Sequence, residues 1–290
     1  MKIGFIGQGW IGKHYANDFE ARGYEVVRYA LEEVYINNKK AIADCDIVFV
    51  AVPTPTTPEG FSYEAVQEAL KIVAPDSTVV IKSTLYPGTT KLLQEAFLEL
   101  YVMHSPEFLR EVSAAHDAAH PERNIIGLPD ESDEYQKRAQ AVLKVLPTAP
   151  YTTVMRSYEA ELVKYAGNCF LFTKVLFMNI LYDLLIQNGG DWGNFREALI
   201  NDPRVGESHT QPIHRSGHDT SDKNEKRGAG GHCFIKDFEA FRQFSLDTLS
   251  EQTDVHDVLT SLAAYNVRLL QDSGKDIDLL TSVYGETLKP

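Results

Sequence analysis

Cysteine is scarce in this chain, with three residues among 290, at positions 45, 169 and 233. The number is odd and no two stand as C-x-x-C, so neither a disulfide framework nor a thiolate metal site can be read from them. Such usage fits a reducing, cytoplasmic compartment. Positive charge is also in deficit. Lysine and arginine number 28 against 41 acids, a net charge of −13. That balance argues against nucleic acid or an anionic membrane as partner of the whole chain, yet leaves room for an anionic ligand in a local basic pocket. Long hydrophobic runs are missing too. Ile3-Gly4-Phe5-Ile6 is too short for a signal peptide's apolar region. The longest apolar-rich stretch, Cys169 to Ile186, is broken by Lys174, Asn179 and Asp183, as in a buried or interface helix rather than a membrane span.

What is present is the composition of a globular protein, 43% hydrophobic and 24% charged, long enough for one large domain or two ordinary ones. The first half alternates strand and helix. Strands are expected over 2–7, 25–30, 46–52, 77–84, 100–105 and 124–128, with helices from the glycine turn to Arg22 and over 62–74, 89–99, 107–119 and 131–145. This rhythm predicts an α/β, doubly wound parallel sheet over residues 1–154. Near Met155 the rhythm stops. Ser157 can cap a helix reaching about Gln187, which opens an all-helical domain over 155–290 and offers a face for self-association. Residues 206–231 read as a long loop and further helices are expected over 237–249 and 254–272.

Gly7-Gln8-Gly9-Trp10-Ile11-Gly12 follows the first strand and opens a helix. In that context G-x-G-x-x-G brings backbone N–H groups and a helix N-terminus to a dinucleotide pyrophosphate. The acid expected at the end of the second strand to bind the ribose is absent. Glu32 and Glu33 follow a few residues later and Arg28 lies in the strand, so NAD is the expected cofactor with NADP left open. Pro53-Thr54-Pro55 and Ser83-Thr84 stand at the ends of the third and fourth strands, where such sheets bind ligands.

Three i, i+4 pairs carry possible chemistry: Glu107 with Glu111, Lys164 with Asn168, and Cys233 with Asp237. On a helix each pair shares one face. A thiol just after Gly230-Gly231, at a helix start with lysines near, is a candidate nucleophile. His209, His214 and His218 read as residues of a solvated loop, and no metal is expected.

Taken together these residues resemble the UDP-glucose/GDP-mannose 6-dehydrogenase family. The likeness rests on Gly7-x-Gly-x-x-Gly12, Val52-Pro-Thr-Pro55, Ser83-Thr-x-x-Pro-Gly-Thr89, Pro106-Glu-Phe-Leu-Arg-Glu111, Asp117-x-x-x-Pro-x-Arg123, Glu161-x-x-Lys164-x-x-x-Asn168, Asp202-Pro-Arg204 and Gly230-Gly-x-Cys-x-x-Lys-Asp237, in that order. The resemblance implies a Rossmann sheet followed by a helical central domain, and a cytoplasmic homodimer formed through the helix 157–187. It implies a four-electron oxidation of a nucleotide sugar's C6 alcohol with two NAD, in the setting of polysaccharide synthesis. On that likeness Cys233 would form the thiohemiacetal and thioester, and Lys164 and Asn168 would stabilise the oxyanion. Asp237, with Glu111 and Thr84, would activate water. Gly7, Gly9, Trp10, Ile11, Gly12, Pro53, Thr54 and Thr84 would hold NAD. Glu107, Phe108, Leu109, Gly230 and, toward the neighbouring subunit, Arg204 would meet the sugar nucleotide. Lys236 is given no role. On this likeness the chain is expected to lack the family's third, carboxyl-terminal domain, and Val112 stands where glycine is common. Two other readings are a two-electron NAD(P)-dependent hydroxy-acid or alcohol dehydrogenase, which does not need Cys233, and a non-catalytic truncated paralogue.

Overall fold

The computed structural model describes residues 1–110, 113–216 and 224–290. It divides into two compact units, residues 1–55 with 62–164, and residues 56–61 with 165–290. Along the chain the first unit carries β1 (Lys2–Ile6), α1 (Trp10–Ala21), β2 (Glu25–Tyr29), a 3-10 segment over Ile36–Asp44 and β3 (Ile47–Val50). The two-residue strands β4 (Thr56–Thr57) and β5 (Gly60–Phe61) follow and belong to the second unit. The first unit then resumes with α2 (Glu64–Leu70), β6 (Thr78–Ile81), α3 (Thr89–Ala96), β7 (Tyr101–His104), α4 (Ala114–Ala119), β8 (Arg123–Leu128), α5 (Asp133–Val145), β9 (Tyr151–Arg156) and the first turns of α6 (Ser157–Gln187).

Seven of these strands form one sheet in the order β2-β1-β3-β6-β7-β8-β9. Residues of β3 and β6 are buried throughout, as the unbroken apolar runs Ile47–Val50 and Val79–Ile81 require of strands covered on both faces. Phe5, Phe19 and Phe49 pack ring to ring at 5.0–5.3 Å, each buried ring contributing about 1.5–3 kcal/mol. The sheet departs from the expected all-parallel arrangement at one point: β8 runs antiparallel to β7, pairing Gly127 with His104. The six-residue α4 is only about 9 Å long. It does not return the chain to the opposite edge, so β8 starts where β7 stopped. β9, parallel to β8, is an edge strand absent from the sequence expectation. The parallel strands β1, β3, β6 and β7 all end on one edge. That edge therefore receives Gly7, Ala51–Thr54, Lys82–Thr84 and Ser105–Glu107.

The second unit holds α6 from Tyr165 onward, then α7 (Trp192–Ile200), β10 (Ile213–His214), β11 (Lys226–Arg227), α8 (Gly231–Thr248), α9 (Thr253–Ser273) and α10 (Ile277–Tyr284). α6 packs through Cys169, Phe172 and Leu176 into a core shared with Phe238, Ala263 and Leu269, and Phe172 stacks on Phe238 at 3.9 Å. α6 is long and apolar enough to cross a membrane by length and composition. Its polar interruptions have partners within this unit. Lys174 Nζ donates to the Val205 carbonyl at 2.8 Å, and Arg227 donates to Asn179 at 2.9 Å and pairs with Asp183 at 2.7 Å. Phe170, Phe177, Ile180, Leu184 and Ile186 remain exposed on α6. α8 starts at Gly231, six residues before the expected start, and residues 206–231 hold a short β10–β11 ladder rather than loop alone.

Candidate active site

The glycine turn is built as a cradle. Gly7 adopts a left-handed φ of 92°, and a Cβ there would sit 2.2 Å from the Ala51 carbonyl oxygen. A Cβ at Gly12 would sit 1.9 Å from the Gly7 oxygen, whereas one at Gly9 would project into open space. Gly9 is the N-cap of α1 and supplies no side-chain cap, so the first-turn N–H groups of α1 are presented to a ligand. Ile11 packs against the sheet core while Trp10 is exposed and meets His14 edge-on. These residues fit a dinucleotide pyrophosphate. At the end of β2, Arg28 is committed to other groups. It forks onto both carboxylate oxygens of Glu20 at 2.9 and 2.7 Å and donates to Asn17 at 2.8 Å and Gln8 at 3.1 Å. A guanidinium so engaged is not poised for a 2′-phosphate, which favours NAD over NADP.

The ends of β3 and β6 are tied together. Ser83 Oγ accepts from Val52 N at 3.0 Å and donates to Val52 O at 2.7 Å, and Thr54 Oγ1 donates to the Thr84 carbonyl at 2.7 Å. Thr54 is thus fixed from below, and Thr84 is buried with it. Between them lies a residue that the motif reading passed over. Lys82 is fully buried, donates to Ser105 Oγ at 2.9 Å and lies 4.6 Å over the Tyr15 ring. Burial lowers its ammonium from 10.5 to about 7, against the raising influence of Glu107. The unfolded chain keeps this proton to higher pH than the fold does, so Lys82's contribution to stability is present above the unfolded value and is lost as pH falls through about 7. Lys82→Met is therefore expected to raise the melting temperature, more at pH 6 than at pH 9. The gain should be about 1–4 kcal/mol, as when buried ionic groups give way to apolar ones. Equal melting temperatures at pH 6 would refute this.

Glu107 does not lie on a helix, contrary to expectation. Residues 105–110 are irregular and α4 begins only at Ala114. The reason is tertiary. Asp117 accepts from Arg110 N at 2.9 Å, from the Arg110 guanidinium at 3.0 and 2.6 Å and from Ser113 Oγ at 2.9 Å. These donors hold its carboxyl well below the usual carboxylate range. Arg123 lies 3.7 Å over the Phe108 ring. The Asp117-x-x-x-Pro-x-Arg123 motif thus fastens the loop that presents Glu107. Glu111 and Val112 lie outside the described residues. Glu107 is buried and satisfied at every oxygen. Lys164 Nζ donates to its carbonyl at 2.8 Å and its Oε1 at 2.7 Å, and Leu109 N donates to its Oε2 at 2.8 Å. Glu161, three residues before Lys164, has a structural task. It accepts from Gly88 N at 2.5 Å and from Thr90 N and Oγ1 at 2.7 and 2.6 Å, capping α3, while burial pushes its carboxyl up to about 7.

In the second unit, Asn168 stands one turn beyond Lys164 on α6. Its Nδ2 donates to Asp237 Oδ2 at 2.6 Å. Asp237 is buried and its other oxygen is bound by Lys236. Lys236 is thus the counter-charge of Asp237. Cys233 is the third residue of α8, one turn before Asp237 and exposed, whereas Cys45 and Cys169 are buried. At a helix N-terminus the dipole favours thiolate. Burial instead pushes the Cys45 thiol up to about 11 and Cys169 well upward, which leaves Cys233 as the exposed one of the three. Gly230 is the N-cap of α8. Arg204 is exposed and forks onto Asp202, its Nη2 at 2.6 Å from Oδ2. His214 belongs to β10, and His218 lies outside the described residues. Among the described residues no group of three or more His, Cys, Asp or Glu could hold a metal.

Known proteins resemble this chain along most of its length. The NAD-binding domain of the UDP-glucose/GDP-mannose dehydrogenase family matches residues 31–146 and the central domain of that family matches residues 158–263. A UDP-glucose 6-dehydrogenase of Bacillus subtilis is 32% identical over 219 residues, 71% of this chain and 46% of its own. The structure of a UDP-glucose dehydrogenase from Pyrobaculum islandicum aligns with a TM-score of 0.75 at 28% identity, over 93% of this chain and 70% of that one. A 3-hydroxyisobutyrate dehydrogenase of Mycobacterium tuberculosis shares the fold over 100% of this chain and 99% of its own, with a TM-score of 0.64 and 15% identity. The chain spans about half the length of the curated relatives it matches.

Proposed function

The chain belongs to the UDP-glucose/GDP-mannose dehydrogenase family, its cofactor is NAD, and from that membership we propose that it oxidises the C6 alcohol of a nucleotide sugar to the carboxylate. The observation that carries this reading is the exposed Cys233 thiol in the first turn of α8, one turn before a buried Asp237. A two-electron alcohol dehydrogenase has no use for such a thiol. A four-electron enzyme needs it to keep hold of the aldehyde carbon.

NAD, held at the Gly7–Gly12 turn, would supply the hydride acceptor for two successive oxidations, one NAD for each. Between them the Cys233 sulfur adds to the aldehyde carbon, forming the C–S bond of a thiohemiacetal. Loss of the second hydride, with the hydroxyl proton, leaves a thioester. Water then breaks the C–S bond, giving the carboxylate and returning the thiol. The balance is one alcohol, two NAD and one water to one carboxylate, two NADH and three protons. Lys164 and Asn168 donate to the oxygen as negative charge grows on it. Glu107 gives the buried Lys164 ammonium its counter-charge and fixes its direction, and Asp237 orients the Asn168 amide in the same way. By the family likeness, activation of the attacking water would fall to Asp237, Thr84 and Glu111. Gly7, Gly9, Trp10, Ile11, Gly12, Pro53 and Thr54 line the cofactor's path, while Phe108, Leu109 and Gly230 flank the sugar.

The exposed apolar residues of α6 support a homodimer through helix 157–187, with Arg204 reaching the partner's substrate. A cytoplasmic place in polysaccharide precursor synthesis accords with this chemistry. Incubation with NAD and UDP-glucose, GDP-mannose or UDP-N-acetylhexosamines should yield NADH and an acid with one of them. NAD binding without NADH from any would overturn the reading.

A further inference from the structure

The segment that leads into Cys233 is held almost residue by residue by the end of α9 and the turn after it. Lys226 Nζ donates to the Gly274 carbonyl at 2.6 Å, and Arg227 N donates to Ser273 Oγ at 3.3 Å. The Gly228 carbonyl accepts from Lys275 Nζ at 3.0 Å. Ala229 is gripped at both backbone groups by the Asn266 amide, at 2.8 and 3.0 Å. Gly231 N, the first N–H of α8, donates to Asp276 Oδ2 at 2.7 Å. The fit leaves no slack, since a Cβ at Gly230 would lie 2.1 Å from that oxygen and 2.9 Å from Lys275 Cε.

Asp276 pays no attention to its own helix. It stands at the N-cap of α10 in the left-handed region, φ 52° and ψ 39°, without a cap bond to α10, and binds Gly231 and the Ser216 hydroxyl instead. A non-glycine residue stays in that region only where its surroundings hold it. Lys275 is buried and its Nζ lies 2.8 Å from His214 Nε2, while His214 Nδ1 faces the Gln211 carbonyl at 3.1 Å. That places the ring proton on Nδ1 and leaves Nε2 to accept from Lys275. Burial and the Lys275 charge hold His214 down at about 4, in keeping with this neutral form.

We propose that Lys275 and Asp276 are positioning residues for Cys233. Asp276 caps α8 from outside, taking an N–H that Gly230, having no side chain, cannot take. Lys275 pins the residues before it, so the thiol stands at one place over the first turn. Both lie beyond the stretch matched by the family's central domain, which ends at 263. The inference rests on the reading of Cys233 as nucleophile, but two of its readouts need no substrate.

The test compares Asp276→Ala, Asp276→Asn and Lys275→Met in the full chain. Asp276→Ala should raise amide exchange over 228–234 by about tenfold or more and lower kcat about 10–100-fold with KM within about twofold. Asp276→Asn retains an acceptor for Gly231 and should restore most of both. It also removes a carboxylate from the start of α8, so iodoacetamide should alkylate Cys233 about two- to threefold faster at pH 7, with its pH profile moved down. A purely structural residue would leave that profile in place. If Asp276→Ala fails to fold, Lys275→Met, which removes the bond to Gly228, should show the same exchange and kcat changes to a smaller degree. Amide exchange over 228–234 unchanged in whichever of Asp276→Ala and Lys275→Met folds, together with an alkylation pH profile of Asp276→Asn that coincides with the parent's, overturns the proposal. A parent with no dehydrogenase activity, but with these changes in its variants, overturns the functional reading alone.

Discussion

Cys233→Ser is expected to abolish acid formation, by roughly 10³-fold or more, on the scale seen when a nucleophile is removed. The sugar should stop at the aldehyde level, with at most one NADH released for each molecule consumed. Because Cys233 is exposed, the change should leave stability within about 0.5 kcal/mol of the parent, and the melting temperature separates lost chemistry from lost fold. Full conversion to acid by the serine variant would remove the thiol from the mechanism.

Lys164→Met should have the largest combined effect on stability and activity. Glu107 and Lys164 pair at 2.7 Å with side chains only 7% and 5% exposed. Removing the ammonium leaves a carboxylate buried without counter-charge, which costs about 3–5 kcal/mol. The second variant, Lys164→Met with Glu107→Leu, removes both charges and should recover most of that loss. Activity should not return with it. In the proposed mechanism the same lysine would be the charged donor to the developing oxyanion, a contribution of about 10²–10³ in rate. Thermal melting and turnover of the single and double variants check both halves. A double variant that regains activity would show that Lys164 serves only to neutralise Glu107.

The sequence is a good guide here where structure is local. Six of the seven strands in the first unit's sheet, the glycine turn and the 31 residues of α6 follow from apolar runs, turn residues and an uninterrupted helical stretch. Three features escaped because their causes lie elsewhere in the chain. Pro106 with nearby acids looks like a helix start, yet Asp117 and Arg123 hold those residues as a loop. The direction of β8 leaves no trace in its own pattern, since Asn124-Ile125-Ile126 reads alike either way. Residues 206–231 read as loop with a helix only from 237, whereas α8 begins at Gly231, whose N–H donates to Asp276, 45 residues on. The candidate site was legible as a set of residues. Their pairing was not. Nothing in the i, i+4 spacings couples Lys164 to Glu107 or Asn168 to Asp237 rather than to each other. Lys82, buried beneath the strand ends, carries no motif signal beyond its place before Ser83-Thr84.

The number of electrons removed from each sugar distinguishes the four-electron route from a two-electron one. Purified protein, saturating NAD and a limiting amount of the nucleotide sugar that reacts would be taken to completion, and NADH counted against sugar consumed. The thioester route predicts two NADH per sugar and an acid product. One NADH per sugar, with an aldehyde or ketone as product, would contradict it.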